Sequence, residues 1–189
     1  VILKDEIIQA DVLVKAGRIA QIGNDLQDSE VLDLTGKYLA PGFVDIHNHG
    51  GYGYDYMDNT VEAFENILRF HSDNGITSAV ASTVTAPQET IEKTLSVARE
   101  VLPKRGDHAK LLGVHLEGPY LSFQNKGAHA PAYLKVPAED DYGYILENAD
   151  VIRQITISPE LDGCVELTEK LVEKGIVVSM GHDNAILPE

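Results

Sequence analysis

The stretch Pro41-Gly42-Phe43-Val44-Asp45-Ile46-His47-Asn48-His49-Gly50-Gly51 decides how this chain is read. An apolar run ends in two histidines one residue apart, and a diglycine follows. In a β-strand, residues i and i+2 point to the same face. The imidazoles of His47 and His49 are therefore predicted side by side at the C-terminal edge of a strand, close enough to share one metal ion. In (β/α) barrels that edge is where the chemistry sits. A bare His-x-His is equally compatible with two solvated histidines in a polar loop, so the choice depends on what surrounds it.

After this stretch the chain settles into a rhythm of strand, loop and helix. Apolar strands are predicted at 42–47, 76–84, 110–116, 152–158 and 176–180, and helical periodicity fills 60–73, 87–102, 137–148 and 161–174. Asn74-Gly75 and Lys174-Gly175 read as helix stops, and Pro87 and Pro137 suit first helical turns. Near-continuous apolar strands separated by helices imply a parallel sheet. No Gly-x-Gly-x-x-Gly follows the first strand, so a dinucleotide fold lacks its main signal. Five such units are too few to close an eight-stranded barrel. The predicted fold class is α/β, a partial (β/α)8 TIM-type barrel of about five βα units occupying 39–189.

Before it, residues 1–38 read as short β-type runs broken by turns, part of a small β-sandwich module. Residues 10–15, the turn Ala16-Gly17 and residues 18–23 read as a hairpin, and Val31-Leu32-Asp33-Leu34 alternates like a strand.

Composition narrows the functional classes. The chain has 189 residues, 43% of them apolar, enough to bury a core. Its formal charge of −15 argues against nucleic acid and anionic membranes as partners. No apolar run approaches the roughly 20 residues of a membrane span. The segment Val1-Ile2-Leu3-Lys4-Asp5 lacks the features of a signal peptide. A single cysteine, Cys164, gives no disulfide framework and fits a reducing cytoplasm. The chain starts without methionine and stops at Leu187-Pro188-Glu189, where a helix should follow a strand, so it is expected to be part of a longer polypeptide.

The other candidate residues lie on the same rim. Glu117 ends the third barrel strand in His115-Leu116-Glu117-Gly118-Pro119-Tyr120, and His182 follows the fifth in Gly181-His182-Asp183-Asn184-Ala185. Three imidazoles and one carboxylate suit a borderline divalent ion such as zinc. Taken singly, Glu117 reads as a helix N-terminal carboxylate and His182 as a loop histidine. Their shared position with His47 and His49 favours the metal. His129, in Asn125-Lys126-Gly127-Ala128-His129-Ala130-Pro131, lies in a loop long enough to fold over a barrel mouth. His115 shares a strand face with Glu117 and reads as interior packing. His71 and His108 read as surface residues, and Glu139-Asp140-Asp141 as a solvated helix start. Tyr52, Tyr54 and Tyr56 either cover the mouth or cap a module interface.

These motifs together carry a resemblance. The stretch from Pro41 to Gly50 resembles the first-strand signature of the amidohydrolase superfamily. The motifs around Glu117, His129 and His182 resemble the N-acetylglucosamine-6-phosphate deacetylase family. That resemblance implies metal-dependent hydrolysis of an acetamide, yielding glucosamine 6-phosphate and acetate. It implies Glu117 and His182 as metal ligands, His47 and His49 as ligands of a second ion, and His129 as a substrate contact. The cofactor implied is one or two divalent ions, zinc first and iron or another divalent ion otherwise. The ligand implied is an amino-sugar phosphate, and the assembly a homodimer. Asp183 stands where the family has serine or threonine. The family's next ligand histidine and its catalytic aspartate fall beyond Glu189, so no residue of this chain is assigned the proton shuttle.

Two other readings compete. A cyclic amidase or deaminase of the same superfamily, such as a dihydroorotase-like enzyme, would carry a metal-bridging lysine at the end of strand four. That strand ends Thr156-Ile157-Ser158-Pro159-Glu160, without lysine, and Glu117 can bridge instead. The second is a non-catalytic module that binds only metal or sugar phosphate.

Overall fold

The turn Ala16-Gly17 is left-handed at both residues, with φ of +49° and +72°. This is the geometry of a tight hairpin turn whose twist matches its flanking strands. It joins β1 (Asp11–Lys15) to β2 (Arg18–Gly23) in an antiparallel pair with an irregularity at Leu13/Val14. The structure is a computed structural model that describes residues 1–104 and 106–186. The chain divides into two compact units, Val1–Gly42 and Phe43–Glu189.

Besides the hairpin, the first unit has a β-bridge between Ile2 and Ile7. The alternating segment 31–34 forms no strand, and Val31 and Leu32 are each 80% exposed. Alternation makes a strand only where a neighbour supplies ladder hydrogen bonds and a covering face. The described residues of this unit supply neither to that segment.

The second unit begins with β3 (Phe43–Asn48) and a two-residue ribbon of β4 (Gly50–Gly51) and β5 (Tyr54–Asp55). Then follow α1 (Val61–Asp73), β6 (Ile76–Ser82), α2 (Gln88–Val101), β7 (Lys110–Glu117), α3 (Gly143–Glu147), β8 (Ile152–Ile157), α4 (Cys164–Glu173) and β9 (Val177–Met180). The sheet order β3-β6-β7-β8-β9 is parallel throughout, the half-barrel expected from the sequence. β7 is the middle strand and is buried along most of its length. β3 and β9 are edges, where Phe43, Ile46, Val177 and Met180 are exposed.

Local chemistry sets the helix limits. Thr60 Oγ1 accepts the Ala63 N–H at 3.1 Å and starts α1. Ala63, Phe64, Ile67, Leu68 and His71 then repeat at helical spacing and turn into the core. Asn74 caps the end, and Gly75 takes the left-handed φ of +81° that lets the chain leave. His71, expected at the surface, is therefore buried: it lies on the apolar face of its helix, beside Asp45 of β3. The same logic buries Ile91, Leu95, Ala98 and Val101 on α2, with Pro87 at its N-cap.

The helix expected at 137–148 shrinks to α3. The Ala138 carbonyl accepts the Asp141 N–H in a turn, and Asp141 pairs with Lys135 and accepts the Tyr120 O–H at 2.9 Å. The acidic cluster is thus partly engaged by the loop after β7, not free to open a helix. Among the described residues no helix is long and apolar enough to cross a membrane.

Candidate metal centre

β7 runs through the middle of the sheet and delivers Glu117 at its C-terminal end, nearly buried. Each of its carboxylate oxygens faces two imidazoles. Oε1 lies 2.9 Å from His182 Nε2 and 3.9 Å from His47 Nε2. Oε2 lies 3.2 Å from His49 Nε2 and 3.5 Å from His129 Nε2. The structure therefore brings together all five residues singled out from the sequence. Two overlapping groups, His47-His49-Glu117 and Glu117-His129-His182, each hold their ligand atoms within 4.8 Å of one another. Glu117 belongs to both.

Neighbouring backbone groups fix the protons on two of these rings. A carbonyl can only accept and an amide N–H can only donate. His182 Nδ1 is 3.0 Å from the Asn125 carbonyl, so Nδ1 carries the proton and a neutral ring leaves Nε2 bare. His129 Nδ1 accepts the Thr85 backbone N–H at 3.2 Å, so its proton sits on Nε2. His182 thus offers a lone pair where His129 offers a donor. A bare nitrogen 2.9 Å from a carboxylate oxygen is repulsive unless a proton or a cation lies between them. The donor set of bare imidazole and buried carboxylate accordingly fits a divalent ion. His129 fits a hydrogen-bond donor to whatever the ion faces.

The loops that deliver these rings are held by backbone bonds. The His182 carbonyl accepts the Ser122 N–H at 3.1 Å and the Ser158 O–H at 2.8 Å. His182 itself has a left-handed φ of +52°. Gly127, φ +56°, passes so close that a Cβ there would lie 3.3 Å from His182 Cε1.

Electrostatics follow the contacts. Burial alone would raise the Glu117 carboxyl, but the imidazoles of His49 and His182 against it, with His47 and His129 nearby, pull it down to about 2. The bond to Glu117 raises His49 against its burial. Burial lowers His129. It also brings His115 down to about 4, with the neighbouring His47 adding to the effect.

The other candidates separate cleanly. Tyr56 is a core residue stacked edge-on with Phe64 at 4.8 Å, whereas the Tyr52 O–H reaches Asp73 and the Tyr54 O–H reaches Glu62. His108 is half-buried, with its ring on the Ala109 carbonyl. His115 is buried, but it is not inert filler: its Nδ1 lies 3.2 Å from His47 Nδ1. Its i, i+2 spacing with Glu117 placed it on the right face. Its contact with His47 needs the neighbouring strands and is not written in the spacing.

Comparison with known proteins gives a consistent answer. No protein-family model matches the chain. The N-acetylglucosamine-6-phosphate deacetylase of Haemophilus influenzae is 38% identical over 82% of this chain and 40% of its own length. The N-acetylgalactosamine-6-phosphate deacetylase of Escherichia coli O157:H7 is 32% identical over 82% of this chain and 41% of its own. The crystal structure of N-acetylglucosamine-6-phosphate deacetylase from Pasteurella multocida superposes with a TM-score of 0.86 at 32% identity, covering 96% of this chain and 48% of that one. The chain spans less than half the length of each, and the similarity falls in their N-terminal part.

Proposed function

We propose, on the premise that this chain is similar over most of its length to the N-terminal part of N-acetylglucosamine-6-phosphate deacetylases, that it carries the metal-binding half of such an enzyme. The reaction is hydrolysis of the acetamide of N-acetylglucosamine 6-phosphate to glucosamine 6-phosphate and acetate. The observation that carries this reading is the Glu117 carboxylate ringed by His47, His49, His129 and His182.

In this reading Glu117 and His182 would hold one divalent ion, and His47 and His49 would hold a second beside the same Glu117 carboxylate. A bound divalent ion polarises an amide carbonyl and lowers the pKa of water to about 7. Zinc suits imidazole and carboxylate together, and iron is the alternative that elemental analysis distinguishes. Glu117, ionised through the neutral pH range, supplies the negative charge that retains the ions. His129 presents its Nε2–H into the site and donates to an oxygen of the substrate, with Thr85 holding the ring in that tautomer. The burial of Glu117 and His129 strengthens both interactions by excluding water. Residues 1–38 are read as part of the accompanying β module and 39–189 as the first part of the barrel. The single cysteine is buried and unpaired, which supports a cytoplasmic setting. A homodimer is the expected assembly.

The test is acetate release from N-acetylglucosamine 6-phosphate by a polypeptide carrying this chain, before and after chelation and zinc reloading, beside the 189-residue chain alone. Chelator-sensitive release restored by zinc is expected from the longer polypeptide, with little from the chain alone. Release indifferent to metal would sink the reading. N-acetylgalactosamine 6-phosphate is the comparison substrate, because a relative acting on it is about as similar. Faster turnover of that epimer would reassign the sugar while keeping the chemistry.

A further inference from the structure

The Nδ1 atoms of His47 and His115 lie 3.2 Å apart. Two ring nitrogens hydrogen-bond only if one carries a proton and the other a lone pair. Which carries which decides what His47 offers at its other nitrogen, the one on the Glu117 side.

His115 sits on the middle strand, two residues before Glu117, between Ser82 of β6 and Thr156 of β8. Its Nδ1 is 3.0 Å from Ser82 Oγ, and its Nε2 is 2.8 Å from Thr156 Oγ1. Ser82 Oγ accepts the Asn48 backbone N–H at 3.2 Å and keeps a second lone pair, so toward His115 Nδ1 it can donate or accept as the ring's tautomer requires. A neutral imidazole carries a single proton, on one ring nitrogen or the other. With Nδ1 as the acceptor, that proton sits on Nε2 and goes to the Thr156 hydroxyl. His47 is then the donor of the pair at 3.2 Å, while Ser82 turns its O–H to the same nitrogen or away from it.

We infer that His115 is a positioning residue: by accepting the Nδ1–H of His47 it holds that ring in the tautomer whose bare Nε2 faces the Glu117 carboxylate and can take a metal ion. The inference rests on reading His47 as a ligand. Metal-binding histidines commonly donate their second ring N–H to a carboxylate, a carbonyl or water. Here the acceptor is another imidazole, oriented in turn by Thr156. The three groups come from β3, β7 and β8, with β6 and its Ser82 between the first two, so the order of the strands sets the proton's place on an edge-strand histidine.

The experiment is zinc titration of the 189-residue chain by calorimetry against a competing chelator. It uses His115→Leu, which fills space but accepts no hydrogen bond, and His115→Asn, whose Oδ1 falls near the place of the imidazole Nδ1. His47→Ala combined with His49→Ala marks which zinc equivalent belongs to that pair. His115→Leu is expected to weaken this equivalent by about 10–100-fold, and His115→Asn to stay close to the unsubstituted chain. Wild-type affinity in His115→Leu, or equal losses in the two His115 variants, overturns the inference and leaves the metal reading standing. No zinc lost on removing His47 and His49 together overturns both. A measurement without variants is nitrogen-15 NMR of the histidine rings in the zinc-loaded chain. A protonated Nδ1 on His47 and a bare Nδ1 on His115 are expected, and the reverse assignment refutes the proposal.

Discussion

The two sides of the Glu117 carboxylate are built in different ways. His129 comes from the loop after the middle strand β7 and His182 from the turn after β9 at the far edge, and backbone groups that can play only one role fix their protons. His47 and His49 come from the opposite edge, β3, with side chains 46% and 37% exposed, against 3% for His129 and 27% for His182. The ring of His47 is oriented through an imidazole and two hydroxyls, all groups able to donate or accept. One side is therefore preorganised by the fold itself. The other depends on side-chain partners and has more freedom to rearrange. The difference predicts that the His182 side binds metal more tightly and that the edge pair is the first to lose it.

The largest expected effect removes what the two sides share. Glu117→Gln keeps the shape of the side chain and loses its charge. Both metal equivalents should fall away in elemental analysis, and turnover should drop beyond the 10–100-fold typical of outer-sphere partners, with circular dichroism unchanged. A folded, metal-loaded variant would make Glu117 a bystander. Next, His182→Ala and the pair His47→Ala with His49→Ala should remove different equivalents in a zinc titration, the tighter one with His182. Equal affinities for the two would erase the distinction between rings fixed by backbone groups and rings fixed by side chains.

A subtler change acts on one side only. Gly127→Ala puts a Cβ against His182 from a left-handed backbone position. It should cost about 1 kcal/mol in urea denaturation and weaken the tighter equivalent while leaving the edge pair alone.

The smallest expected effect concerns the support beneath the edge strand. Burial lowers the pKa of His71 below its ordinary value of 6.5, against the pull of Asp45. The folded state therefore takes up this proton later than the unfolded chain as pH falls. The contribution to stability is complete above the unfolded value and erodes as pH drops through it. His71→Phe should flatten that part of the acid limb in a pH series of denaturation midpoints. An unchanged slope would show that His71 is not the group being titrated.

Much of this was legible in the residues. The hairpin followed from Ala16-Gly17 between two β-type runs. The barrel strands followed from apolar runs at regular separation, and the helix ends from Asn74-Gly75 and Lys174-Gly175. His47, His49, Glu117 and His182 followed from strand-end positions, and His129 from the family resemblance. What misled was local pattern without its environment. Val31–Leu34 alternates but, among the described residues, has no strand beside it. The segment after Pro137 has helix-forming residues, but Lys135 and Tyr120 draw Asp141 into a turn. His71 is polar, yet it occupies the buried face of its helix.

The sequence by itself determined most of the elements, their order, and that His47, His49, Glu117 and His182 would lie at one rim, whereas His129 joined them only through the family resemblance. Period and spacing carry that much, because strand alternation and parallel topology put such positions at the same edge. Only the tertiary structure decided what each ring can do there. The Asn125 carbonyl, the Thr85 amide and the His115 ring lie far along the chain from the histidines they orient, at separations of 57, 44 and 68 residues. A histidine's tautomer is set by the atom opposite its second nitrogen, and no local pattern in the sequence specifies that atom.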